Sequence, residues 1–280
     1  MRVMITGGKG QLGSDLARIT EGSHDTFSLD REQLDVCDAR RVMSKVQEIS
    51  PDVIIHPAAY TKVDEAEQQP NIALHTNSLG SRNMAMAAAA CGAKLIYIST
   101  DYVFDGRKGE PYNESDRPNP INVYGISKYA GELFVQSLHS QVFIVRTSWL
   151  YGGYLGNHFV RKIVLAAQQS QTIEVVTDEV GSPTYTWDLA QFINQLMITE
   201  QYGVYHASNK GSCSRYEFAV AIIEEAGIEG VTVRPITSNQ YRLPALRPKY
   251  SILDNQAIIS NGFTDLPLWR DGLTRYMKGW

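Results

Sequence analysis

The chain has 280 residues, with 26 basic and 30 acidic side chains and a net charge of -4. That length suits one large α/β domain, or two lobes with a cleft between them. A mildly acidic, mixed charge offers no global attraction for nucleic acid or an anionic membrane, so any phosphate-bearing ligand has to be held by local cations.

Cys37, Cys91 and Cys213 are scattered and lack CxxC spacing, which fits a reducing cytoplasm rather than a disulfide framework or a zinc site. The six histidines show no paired ligand spacing either. RVMITGGKGQLG at the start runs straight into glycines without the longer apolar region of a signal peptide, and no apolar stretch reaches membrane-span length. A cytoplasmic protein is expected.

In chain order, RVMIT (2–6) predicts a first strand, and Gly7, Gly8, Gly10 and Gly13 lead from it into a helix over 11–20. Glycines in that context let the backbone turn tightly and bring its amides to a pyrophosphate, with the positive end of the helix dipole behind them. TFSL (26–29) predicts the second strand. Asp30 follows it, seventeen residues beyond Gly13, where a carboxylate would bind an adenosine ribose. Arg31 and Lys9 could instead neutralise a 2′-phosphate, so the expected cofactor is NADPH, with NADH also accepted.

Further strands are expected at 52–56, 94–100 and 142–148, separated by helical patterns at 38–50, 62–91 and 122–138. Such alternation implies crossover connections and a Rossmann-type, doubly wound parallel sheet. The core strands are continuously apolar, as strands covered on both faces should be. After residue 150 turn-rich stretches appear at 151–157, 178–185 and 208–214, with helices at 158–170, 187–199 and 215–226; the last carries Phe218, Ile222 and Ile223. The expected division is a dinucleotide-binding domain over 1–150 and mainly a smaller substrate lobe over 151–280, with segments returning to the first domain.

The fourth strand ends in Ser99 and Thr100, and strand ends of this kind face the ligand crevice of an open parallel sheet. Tyr124 and Lys128 follow, one helical turn apart on one face. A tyrosine, with a reference pKa of about 10, is poorly matched to neutral pH, and a neighbouring ammonium would bring it down. Thr100, Tyr124 and Lys128 therefore form a candidate catalytic set: a hydrogen-bond donor to the substrate oxygen, a proton donor, and its tuner. On a packed helix a tyrosine and lysine at this spacing are commonplace. The glycine loop and the strand-end Ser-Thr set this pair apart.

These residues resemble the extended short-chain dehydrogenase/reductases that act on nucleotide sugars, over essentially the whole chain. Seven motifs carry the resemblance in order: GGKGQLG, AAYTKVDEAE (58–67), STDYVFDG, NVYGISKYAGE, RTSWLYG (146–152), GSPT (181–184) and RPKYS (247–251). It implies NAD(P)H-dependent reduction of the 4-keto group of a dTDP-sugar, the last step toward dTDP-L-rhamnose for cell-surface polysaccharide. Cofactor contacts are implied for Gly10, Gln11, Leu12, Asp30, Ala58, Ala59, Tyr60, Tyr124 and Lys128. Substrate contacts are implied for Val63, Thr100, Asp101, Tyr102, Trp149 and Arg247, with the Trp149 face covering a sugar and Arg247 gripping the diphosphate. One departure is His56-Pro57, where relatives often show asparagine; proline removes an amide donor.

Magnesium is associated with some members of the family, but no acidic cluster with ligand spacing is visible and no metal is assigned. Dimers are common for the fold. Relatives that eliminate water carry an Asp-Glu pair after the catalytic threonine; here the pair is Asp101-Tyr102, which favours simple reduction. Two other functions stay open: a non-catalytic NADP-binding regulatory subunit like that of methionine adenosyltransferase, and a reductase or epimerase for another nucleotide sugar.

Overall fold

A computed structural model describes residues 1–153 and 156–279. Residues 154 and 155 of the turn-rich stretch, and residue 280 of the expected second lobe, lie outside the described residues. Strands β1 (Arg2–Thr6), β2 (Asp25–Leu29), β3 (Val53–His56), β4 (Lys94–Thr100) and β5 (Val142–Thr147) alternate with helices α1 (Gln11–Thr20), α2 (Ala39–Ile49), α3 (Val63–Gln68), α4 (Pro70–Leu74), α5 (Gly80–Cys91) and α6 (Val123–Leu138). Every pairing in the central sheet is parallel. The chain thus forms the expected α/β, Rossmann-type sheet.

The sheet has six strands, in the order Gly203–His206, β5, β4, β3, β1, β2. From β1 the chain first builds outward to β2 and then crosses to β3 on the other side, so the order reverses between β1 and β3. Ligands of open α/β sheets bind at such a reversal, beyond the strands' carboxyl ends. Its sixth strand comes from the second half of the chain, pairing Gly203–His206 with Phe143–Arg146.

Both faces of the sheet are covered. Leu12, Leu16 and Ala17 of α1 pack with Leu189, Ala190 and Ile193 of a helix over Thr186–Leu196 against Val3, Ile5, Ile55 and Val145. On the opposite face Val42 and Val46 of α2, Met84 and Ala88 of α5 and Val135 of α6 meet Met4, Ile54, Tyr97 and Ile144. A separate core joins Val160 and Ile163 of the helix Phe159–Gln169, Phe218 and Ile222 of the helix Arg215–Glu225, and Leu273 of the helix Trp269–Met277.

The helical stretch expected over 62–91 is interrupted twice. Gln69 leaves helical geometry (φ -130°, ψ 56°) ahead of Pro70, which has no amide to donate, and residues His75–Leu79 widen into a π-turn. No described helix is long and apolar enough to cross a membrane. Cys37, Cys91 and Cys213 are free thiols.

Candidate active site

Gly7 takes φ +62°, a backbone shape that favours glycine, and an added Cβ would stand 3.0 Å from the Ala58 Cα. This contact brings the AAY segment after β3 against the glycine loop after β1, across the point where strand order reverses. A Cβ on Gly13 would overlap the Gly7 carbonyl and come within 3.0 Å of the Gly8 Cα. Gly10 caps α1 with no side-chain hydrogen bond, so the first amides of the helix are left for an anion. Gln11 Oε1 is buried without a partner among the described residues. A cradle too narrow for side chains, ending in open helix amides, fits the pyrophosphate of a dinucleotide.

Asp30 stands at the end of β2 as expected. Its Oδ1 accepts from the Glu32 and Gln33 amides at 2.9 and 3.0 Å, and its Oδ2 pairs with Lys9. The Lys9 hydrogen bond comes first among the contacts that hold this carboxyl below its usual range. Arg31 is exposed beside Asp35. The positive charge engaging Asp30 therefore comes from the glycine loop itself.

His56 is fully buried and points inward, sharing hydrogen bonds with the Thr6 hydroxyl at 2.7 Å and the Ser81 hydroxyl at 3.2 Å. Burial keeps it neutral, with a pKa of about 3. Tyr60 is fixed through its backbone: its amide donates to Asn77 Oδ1 at 2.7 Å, and Asn77 Nδ2 donates back to its carbonyl at 3.0 Å. Asn77 also donates to the Ser127 hydroxyl at 2.9 Å, tying the π-turn to α6. Ala59 lies between Ala58 and Tyr60, half-buried.

Helix α6 begins where Asn122 accepts from the Gly125 amide at 2.7 Å. Its first two turns carry Tyr124 and Lys128. Thr100 ends β4 and donates to Asp101 Oδ1 at 3.1 Å. Burial pushes the Tyr124 phenol well above its usual value, offset in part by the facing Thr100 hydroxyl. The expected lowering by Lys128 is not what the structure displays, because the ammonium is turned to the ring of Tyr97, 4.1 Å from its centroid. Burial lowers Lys128 to about 7, against support from Glu132.

Tyr102 packs edge-on to Tyr124, with ring centroids 5.8 Å apart, and burial raises it to about 12. It is no base. Asp101 is raised by burial to about 6 and accepts from Ser251 at 2.6 Å, which anchors the RPKYS segment at the site.

Arg247 meets Asp64 of α3 in a two-pronged pair, at 3.0 and 2.7 Å, and also donates to the Ala245 carbonyl at 2.9 Å. Val63, the first residue of α3, is thereby placed beside the same segment. Trp149 adopts φ +46°, unusual for a bulky residue, and its ring carries the Arg215 guanidinium 3.5 Å from the centroid. Gly181 comes so close to the indole that a Cβ there would stand 2.6 Å from it.

Sequence reasoning missed Arg215, Asp64, Asn77 and Tyr97. Asp64 lay within a quoted motif, but its partner is 183 positions away, and Arg215 had no local signal beyond its position at the start of a helix. Among the described residues no group of three or more His, Cys, Asp or Glu could hold a metal ion.

A family profile described as RmlD substrate binding domain matches residues 1–280. The dTDP-4-dehydrorhamnose reductase of Mycolicibacterium smegmatis is 40% identical over 275 residues, covering 97% of this chain and 84% of that protein. Spore coat polysaccharide biosynthesis protein SpsK of Bacillus subtilis is 37% identical over 278 residues, covering 99% and 97%. A crystal structure of dTDP-4-dehydrorhamnose reductase from Bacillus anthracis in complex with NADP superposes with a TM-score of 0.97 at 48% identity, covering 100% of this chain and 99% of that one.

Proposed function

The chain belongs to the family described as the RmlD substrate binding domain, and from that premise we propose that it reduces the 4-keto group of dTDP-4-dehydro-L-rhamnose with NADPH, giving dTDP-L-rhamnose. The observation that carries the reading is the meeting of Thr100 and Tyr124 at the end of β4, with Lys128 one turn along α6, in a sheet whose strand-order reversal holds the glycine cradle.

Gly7, Gly10, Gln11, Leu12 and Gly13 cradle the pyrophosphate, and Ala58, Ala59 and Tyr60 line the crevice opposite. NADPH, when bound, supplies the hydride. Thr100 donates a hydrogen bond to the C4 oxygen, and Tyr124 gives that oxygen its proton as negative charge develops there. A phenol held protonated is suited to donating; Lys128 does not tune it at rest, but binds the ribose, and its charge favours the phenolate that forms as the proton leaves. Tyr102 and the buried Asp101 offer no exposed carboxylate pair to drive elimination, which supports reduction over water loss.

Lys9 engages Asp30, so the carboxylate that would otherwise repel a 2′-phosphate is already balanced. This supports NADPH over NADH. Arg215 and Arg247, both close enough to favour the Tyr102 phenolate, supply positive charge for the dTDP diphosphate. Enzyme of this kind works in the cytoplasm on a diffusible nucleotide sugar.

The test is NADPH oxidation by the purified protein with dTDP-4-dehydro-6-deoxyhexose, against the GDP- and UDP-linked analogues. Turnover with the dTDP sugar is expected. No turnover with any of the three would favour a binding protein, and release of water from a dTDP-hexose would sink the reductase assignment.

A further inference from the structure

Lys128 is 2% exposed, and what its ammonium faces is an aromatic ring: Nζ stands 4.1 Å from the centroid of Tyr97. Tyr97 reaches the same lysine a second way, because its hydroxyl donates to the Lys128 backbone carbonyl at 3.0 Å. Helix α6 makes room for the ring at Gly131, where a Cβ would lie 2.6 Å from the Asn77 carbonyl and 3.0 Å from the Tyr97 Cζ. Tyr97 is fully buried in β4, three residues before Thr100, with the His56 ring 5.9 Å away.

The other charges around Lys128 are already committed. Glu132, one turn further along α6, accepts from Arg146 of β5 at 3.0 and 2.7 Å and from Ser99 of β4 at 2.5 Å. His56 of β3 is held neutral by burial. Tyr124 on the same helix stays protonated, with Asp101 near it. A buried ammonium whose nearest carboxylate is already satisfied gains from the negative face of an aromatic ring.

We propose that Tyr97 is a positioning residue for the reduction: the face of its ring seats the Lys128 ammonium, and its hydroxyl fixes the helical turn that carries it. This rests on the role given to Lys128 above. Seated on the ring, the charged form of Lys128 is favoured. Weakening the ring lowers the pH at which the lysine loses its proton, and with it the alkaline limb of the rate.

The test replaces Tyr97 with Phe and then with mono-, di- and trifluorinated phenylalanines, which keep the ring's size while draining its face of electron density. The pH dependence of kcat/KM for the dTDP sugar at saturating NADPH is measured alongside the pH dependence of NADPH dissociation. Tyr97→Phe should leave the alkaline limb where the wild type has it. The trifluorinated ring should move it down by about one pH unit, a shift of about 1.36 kcal/mol that is the larger part of a desolvated cation–π contact, with intermediate rings falling between. The NADPH profile should move in the same direction.

An alkaline limb that stays fixed along the fluorinated series overturns the proposal, as does the full displacement in Tyr97→Phe alone, which would assign the effect to the hydroxyl. Lys128→Met separates the two readings. Its loss of activity alongside an unmoved fluorinated series would reject Tyr97 and leave the role of Lys128 standing, whereas near-normal turnover in Lys128→Met would reject that role itself.

Discussion

Tyr124 is half-buried beside Thr100 and kept protonated, which makes it a donor in reserve rather than a base at rest. Tyr124→Phe should cut kcat by about a thousandfold, within the range of a lost general acid, while NADPH binding stays nearly unchanged. Near-normal turnover measured by NADPH oxidation would overturn its role. The spacing of Tyr124 and Lys128 was legible because helical geometry is regular, and Thr100 because strand ends face the crevice. Their electrostatics were not legible. Whether an ammonium turns to the phenol or to Tyr97 depends on which ring of the neighbouring strand stands beside it, and that is a fact of packing. The same holds for Arg247, read from the sequence as an open cation for diphosphate but found paired with Asp64. A substrate phosphate has to compete with that carboxylate.

At the scale of elements, the five strands of the first half were readable from apolar runs between turn signals. Gly203–His206 was not, because four residues flanked by turns carry too little periodicity to stand out and their strand identity comes from pairing with β5. The two breaks in the 62–91 stretch had different visibility. Pro70 was a local signal for the first that the continuous 62–91 reading passed over, whereas the π-turn around Asn77 is stabilised by bonds to Tyr60 and Ser127, which lie far off in sequence. The glycine loop was the most legible element because its constraint is steric. Gly13→Ala would force a methyl into the Gly7 carbonyl, and should destabilise the fold by about 2–3 kcal/mol, as overpacking does, and abolish NADPH binding. Urea unfolding and a fluorescence titration measure the two effects. Unchanged NADPH affinity would show that the loop tolerates what its geometry forbids.

For the whole molecule, acid is the weak side. Burial holds His56 and His206 near a pKa of about 3 and His158 near about 4. Unfolding returns each toward its ordinary value of about 6.5. Between that pH and the folded values the unfolded chain binds protons that the folded chain refuses, so stability falls as pH falls. Asp101, raised to about 6, acts in the opposite sense, as do Asp15 and Glu179, which burial also raises, while His24, lowered by burial, adds to the histidines; the three strongly lowered histidines dominate. Tm should therefore drop on the order of 10 °C between pH 7 and 4.5, as scanning calorimetry can measure; a flat Tm over that interval would contradict it. The strand Gly203–His206 has a consequence in time as well as in space. During synthesis β5 emerges with one edge unpaired, and its partner is not made until residue 206 has been added. For that interval the nascent chain presents an open sheet edge beside Phe143 and Val145, the kind of surface on which chains stick to one another. A ribosome stalled between β5 and residue 203 would release a fragment prone to aggregate, so the returning strand also acts as the step that makes the newly made sheet safe.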